Sequence, residues 1–420
     1  MTSSFSRFRL NKPITGWILY DIARTGYIMM IPGVTYAVFF RQIVCGGAAV
    51  CDGKWAFWVS LSLIVAGGLA TLLGAIADIG ALRHRLFVVT TLLCGGATLA
   101  LGTVQPGAIV WGGIVFLLAQ TGYLLATSLY DAYLPSLVPP GAIGRLSSWG
   151  WGLGYLGGIA CYLLFWLVQS SHRFDPLLEY RLAFAIVGLW LLLLSLPVLA
   201  WLPHQSQPPT IPLSRLIRQS YHQVWHTLGY FRQNQEIFKF LVGFYLISDG
   251  IVTLNNFLGI YLNQEFGLSV AQILHLGLLF NLISIPSTIL FGLLSNYRSL
   301  RAILSLLVGI WTVIISLMLL STHPATPLVL AILMGLVFGS TQSLCRGWFA
   351  QMIQANQATE LFGFNALAGR MSSIFGPLLF GVISTVTSNQ RLAVISLLLF
   401  FGLGGLILSQ VRRGDRTAKI

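Results

Sequence analysis

Six ionisable residues stand inside stretches that are otherwise apolar: Asp21, Arg24, Asp131, Asp249, Arg346 and Arg370. A charge at the middle of a membrane-spanning helix costs about 2.5–3.5 kcal/mol on insertion scales, so such residues mark chemistry more often than packing. A carboxylate in a dry cavity can take up and release a proton. A guanidinium offers a planar fork that suits a carboxylate ligand. Each position also has a structural reading. Asp21 and Arg24 form a closed ion pair within one helix, and Asp131 meets water at a helix end. Arg346 and Arg370 hold helix-end carbonyls, and His275 packs in the core. Asp249 is the deepest, roughly 18 Å along its span at 1.5 Å per residue.

The neighbours at helical spacing are polar as well. Trp17, Asp21 and Arg24 share one face, and Gln120, Tyr123, Thr127 and Asp131 share another. Tyr245, Asp249, Thr253 and Asn256 align on a third, and Gln342 aligns with Arg346. Gly150, Gly154 and Gly158 form a small-residue track suited to close helix packing.

The elements that must hold these residues are set by composition. Of 420 residues 56% are hydrophobic and only 8% charged, against about 25% charged in soluble globular chains. Disorder needs low hydrophobicity and is excluded. An outer-membrane barrel is excluded by long unbroken apolar runs. A bilayer core needs roughly 20 apolar residues per helix, and twelve stretches qualify: 14–40, 55–78, 86–104, 108–133, 147–170, 181–202, 237–262, 269–294, 299–321, 327–354, 361–387 and 391–411. The polar stretch 203–236 divides them six and six, as a linker with an amphipathic second part between bundles 1–202 and 237–420. The expected fold is an all-α integral membrane protein.

The net charge of +13 is assigned to loops that orient the chain, with no nucleic acid implied. Of the 24 basic residues, 16 fall on the side of the termini and five on the other, Arg41 and Lys54 among them. That bias places both termini in the cytoplasm. Cys45 and Cys51 share one loop; whether they pair is open, while Cys94, Cys161 and Cys345 read as packing residues.

The two sixes repeat one plan. Gly74-Ala-Ile-Ala-Asp78 with Arg83 recurs as Gly292-Leu-Leu-Ser-Asn296 with Arg301, at an offset of 218 residues. Asp21 and Asp249 stand 228 apart in the first span of each half. Such repeats belong to secondary transporters that rock around a site at the repeat interface. No HExxH pair, GxxxxGK[ST] loop or GxSxG elbow is present, so neither an enzyme nor an ATP-driven pump is expected, and no cofactor or metal.

The stretch Gly74–Arg85, with Asp78, Arg83 and Arg85, resembles the loop 2–3 signature of the major facilitator superfamily, which acts as a conformational gate. Ala81 departs from its usual second glycine. Further blocks resemble the vacuole-effluxer-like branch: Trp17-Ile-Leu-Tyr-Asp21, Ala132-Tyr-Leu-Pro135 with Gly144-Arg145, Asp249-Gly250, Gly339-Ser-Thr-Gln342 through Arg346, and Gly369-Arg370 with Ser372-Ser373 and Gly376-Pro377. The resemblance implies twelve helices in the facilitator fold, with spans 1, 4, 7 and 10 lining a central cavity and 11 helping to gate it. It also implies amino-acid efflux, after the fungal founder. The family pattern carries Asn where this chain has Arg24 and Asp131, which raises a cross-helix ion pair or an acidic-substrate preference as alternatives; position 370 is often Lys. The expected protein is a proton-coupled carrier of a small polar solute in a bacterial inner membrane, acting as a monomer; the alternatives are a carrier of a sugar, peptide or drug, a non-transporting membrane scaffold and a membrane-embedded enzyme. The residues expected to bind substrate or couple protons are Asp21, Arg24, Tyr123, Asp131, Tyr245, Asp249, Asn256, Gln342, Arg346 and Arg370.

Overall fold

Asn11 opens the first helix by accepting a 3.0 Å hydrogen bond from the Ile14 N–H, with a proline in its first turn. Similar caps start later helices: Asp175 accepts from Leu178, Ser299 from Ala302 and Asn389 from Leu392. The computed structural model describes residues 11–79, 82–138, 143–170, 174–202, 234–294, 298–352 and 374–411; the side chains of Asp78, Arg145 and Arg346 are among those it leaves out. The 203–233 part of the expected linker and Arg370 lie outside the described residues.

Among the described residues twelve longer helices carry the fold: α1 Lys12–Val44, α2 Val50–Ile79, α3 Arg83–Ala100, α4 Ile109–Asp131, α5 Ile143–Ser170, α6 Pro176–Trp201, α7 Gln235–Phe266, α8 Val270–Leu294, α9 Leu300–Leu320, α10 Thr326–Met352, α11 Phe375–Thr387 and α12 Gln390–Gln410. Eleven are long and apolar enough to cross a membrane; α11 is shorter, and 353–373 before it lie outside the described residues. Large apolar side chains point outward in helical register, as Leu392, Ile395, Leu399, Leu403 and Leu406 do on α12. In water that stripe would be unstable; against lipid it is the solvated face. The chain is a multi-pass membrane protein.

The packing repeats. In the first half α1 meets α5 and α6, α2 meets α4, and α3 meets α4 and α6. In the second α7 meets α11 and α12, α8 meets α10, and α9 meets α10 and α12. Across the seam α1 faces α7, α2 faces α11 and α5 faces α8, so the second helix of each half packs on the fifth of the other. The expected pair of six-helix repeats is the architecture found.

Two departures from expectation have local causes. The first helix runs past residue 40 to Val44 because Pro32 offers no N–H, and the chain widens into π turns over Ile31–Thr35 and Phe40–Val44. Arg41 therefore lies in a buried helical turn rather than an exposed loop. The glycine track on α5 is also re-registered. A Cβ at Gly154 would press on Thr25 of α1 and one at Gly157 would collide with the Ile22 carbonyl, while Gly158 turns to Asn281 of α8. Eight residues overshoot two 3.6-residue turns, so Gly157, not Gly158, continues the α1 face. His275 is exposed beside the Trp166 ring, contrary to the core position expected for it.

Candidate functional site

The α1 face that carries Trp17, Asp21 and Arg24 is turned inward. Asp21 is 1% and Arg24 9% exposed. Arg24 Nε and Nη2 each lie 2.5 Å from Asp21 Oδ1. The guanidinium also sits 5.0 Å from the Tyr130 ring centroid, a cation–π contact. Tyr130 is fixed in turn: its hydroxyl donates to the Trp17 carbonyl at 3.0 Å, and the two rings stack with centroids 4.5 Å apart. Asp21 Oδ2 is buried without a hydrogen bond, facing α5 where a Cβ on Gly150 would come within 2.5 Å of it.

One turn deeper, Tyr27 donates to Gln120 Oε1 at 3.1 Å and stacks on Tyr123 at 5.0 Å. The expected α4 face thus meets the α1 face, with Thr127 Oγ1 buried and unbonded between them. Asp131 is the last residue of α4 and is exposed. The ion pair of Arg24 is made with Asp21 on its own helix.

In the second half Asp249 is 2% exposed. Both its oxygens accept from the backbone N–H of Gly376, at 3.0 and 2.9 Å. Gly376 lies in the first turn of α11, where free N–H groups and the helix dipole favour an anion. A Cβ there would collide with Asp249 Oδ1 and Thr253 Oγ1. Thr253 donates to the Asp249 carbonyl at 2.8 Å, and Ser248 Oγ and Asn256 Oδ1 are buried without partners. Tyr245 is half-buried, as is Gln342 on α10.

The structure therefore brings together Asp21, Arg24 and Tyr130 in one half, and Asp249 with Gly376 in the other. The side chain of Arg346, and Arg370 as a whole, lie outside the described residues. Of the expected gate, Gly74 lies in α2, Arg83 Nη1 donates to the Ala132 carbonyl at 3.1 Å, and Arg85 is exposed; the Asp78 side chain lies outside the described residues. Arg83 also lies 5.5 Å from the Tyr133 ring. Burial pushes the Tyr133 phenol up to about 12, against the opposing pull of that cation. A separate cleft of about 70 Å³ between α1, α5, α7, α8 and α10 is largely apolar, with Tyr162 and Asn255 its polar members.

Sequence reasoning missed a second buried charge pair. At the end of the molecule away from residues 12 and 410, Arg41 Nε donates to Asp52 Oδ1 at 2.7 Å, and the two are 5% and 1% exposed. Asp52 Oδ2 accepts across the seam from Ser384 and, at 3.0 Å, from Gln390. Cys45 and Cys51 form a disulfide beside it. Other bonds close the same end: Gln42 to Asn263, Trp55 Nε1 to the Asn256 carbonyl at 2.9 Å, and Ser60 to the Ile374 carbonyl at 3.3 Å. The helices touch there as well, since a Cβ at Gly259 of α7 would lie 2.7 Å from the Gly33 carbonyl of α1.

The chain is similar to known proteins along most of its length. The MFS-type transporter YxiO of Bacillus subtilis is 23% identical over 417 residues, covering 97% of both chains. Autophagy-related protein 22-1 of Penicillium rubens is 24% identical over 92% of this chain and 81% of its own. Among solved structures a D-xylose-proton symporter superposes with a TM-score of 0.66 at 15% identity, over 97% of this chain and 98% of that one. The fold is that of the major facilitator superfamily, whose members are transporters and not enzymes. The profile of the family described as "Vacuole effluxer Atg22 like" matches residues 54–419, and the chain belongs to that family.

Proposed function

We propose that this transporter carries a small polar solute, an amino acid or another carboxylate, out of the cytoplasm by alternating access coupled to protons. The carrying observation is the pair of first-helix carboxylates. Asp21 and Asp249 are both buried, each against a glycine of the fifth helix of its own half, yet only Asp21 is matched by a cation among the described residues. A carboxylate held by one backbone dipole can exchange its proton as its surroundings change, which makes Asp249 the coupling residue. Arg24, freed from Asp21 when solute arrives, supplies the fork for a solute carboxylate. Arg346 and Arg370 are further cations for the same group, with Tyr123, Tyr245, Asn256 and Gln342 lining the path. Asp131 sits at the mouth.

The family description supports export. Coupling to protons has a counterpart in the D-xylose-proton symporter that shares the fold. The 16-to-5 loop bias supports a cytoplasmic position for both termini and for the 203–236 linker that joins the membrane-spanning bundles 1–202 and 237–420. The closed end then faces outward, and its Cys45–Cys51 disulfide fits an oxidising space. A thermal-shift panel of amino acids, peptides, sugars and organic anions on purified protein tests the solute class, since a bound ligand raises apparent stability. Stabilisation by sugars or peptides alone would overturn it.

A further inference from the structure

An alternating carrier must open the end that is closed here, so the bonds across that closure set how readily it opens. Among them, the carboxylate of Asp52 is charged and buried. Its Oδ1 is held by Arg41 within the first half, and its Oδ2 reaches Ser384 of α11 and Gln390 of α12 in the second. All four side chains are at most 5% exposed. One carboxylate thus joins the halves, with one oxygen turned to each.

Two details fit a contact that must also release. Arg41 Nη1 and Gln390 Oε1 are buried in the same network without hydrogen-bond partners. Orphaned buried groups are costly, and water entering on opening satisfies both. The strong charge-assisted bonds are therefore offset by a donor and an acceptor that gain partners only when the end opens. The disulfide, meanwhile, closes the short loop between Arg41 and Asp52, and the Gly47 N–H donates back to the Arg41 carbonyl at 2.8 Å. Donor and acceptor on the first half are thus held as one unit.

We infer that Asp52 is the latch of the outer gate: a positioning residue, oriented by Arg41, whose bonds to Ser384 and Gln390 hold the halves closed and whose release permits the outward-open state. The inference rests on the alternating-access reading, but its test needs no solute and so fails or succeeds separately from the assignment of substrate.

Ser60 lies about 12 Å further along α2 than Asp52 at 1.5 Å per residue, is 2% exposed, and sits on the seam against Ile374. In purified protein carrying Ser60→Cys, the rate of reaction with a charged maleimide reports how often the seam opens. Asp52→Asn should raise that rate about ten-fold, the loss of roughly one charged hydrogen bond. The double variant Ser384→Ala/Gln390→Leu leaves the Arg41–Asp52 pair in place and should do the same. A cross-link between Gly53→Cys and Thr385→Cys, whose Cβ atoms would be 3.6 Å apart, should return every variant to the slow rate. If Asp52→Asn alone accelerates the reaction, the pair merely stabilises the first half and the latch is overturned. It is equally overturned if neither variant accelerates it, or if acceleration survives the cross-link.

Discussion

Asp249 and Gly376, 127 positions apart, are joined by a fork: both carboxylate oxygens accept from the one backbone N–H at 3.0 and 2.9 Å. The first half repeats the juxtaposition with Asp21 and Gly150, but there Arg24 intervenes as a partner. Two related carboxylate sites have thus diverged, one neutralised by a cation and one by a helix end. On the proposed function the two sites have different tasks, solute binding for Asp21–Arg24 and proton exchange for Asp249.

Gly376→Ala should be damaging for a reason specific to this contact. The added methyl would collide with Asp249 and Thr253, at a cost on the order of 1–3 kcal/mol for overpacking. Thermal unfolding in detergent measures it, with Gly402→Ala as the control, since a Cβ at Gly402 meets nothing within 4 Å. Equal melting temperatures for the two variants would mean that the close approach is absent.

Arg24→Asn leaves the Asp21 carboxylate buried and unpaired, and should destabilise the protein by about 3–5 kcal/mol. Because the ion pair is made with Asp21, the second change Asp21→Asn should recover most of that loss, whereas Asp131→Asn at the exposed end of α4 should recover much less. Greater recovery with Asp131→Asn would move the pair across helices.

Much of the scaffold was legible in the residues. Apolar runs located the spans because a bilayer admits few alternatives, and the cost of burying charge singled out Asp21, Arg24 and Asp249. Their partners were not legible. Gly376 acts through its backbone N–H, which no residue type advertises. Arg41 resembles a loop charge until the π turns after Pro32 extend the helix that buries it. One signal was available: Gly144-Arg145-Leu146-Ser147-Ser148 recurs as Gly369-Arg370-Met371-Ser372-Ser373, just ahead of Gly150 and Gly376. That repeat brings the two fifth helices into register to within one residue, since Gly150 follows Gly144 by six positions and Gly376 follows Gly369 by seven.

The topology has a direct check. Cysteine probes at Ala48, exposed at the closed end, and at Thr417 should be labelled by an impermeant maleimide from opposite sides of the membrane, Ala48 from outside. Without reduction, denatured protein lacking the probes should show three alkylatable thiols, those of Cys94, Cys161 and Cys345, and five after reduction. Labelling of both probes from one side would contradict an odd number of spans between them and the orientation drawn from loop charge.

The central claim is that solute movement is driven through Asp249. In proteoliposomes with an imposed pH gradient, labelled amino acids should accumulate above equilibrium in the wild-type protein, saturably, and the accumulation should collapse with a protonophore. With Asp249→Asn the same solute should still exchange across the membrane at equal pH, but gradient-driven accumulation should vanish. Undiminished accumulation in that variant would remove Asp249 from the coupling mechanism, and the absence of any saturable, gradient-driven flux in the wild-type protein would contradict the account as a whole.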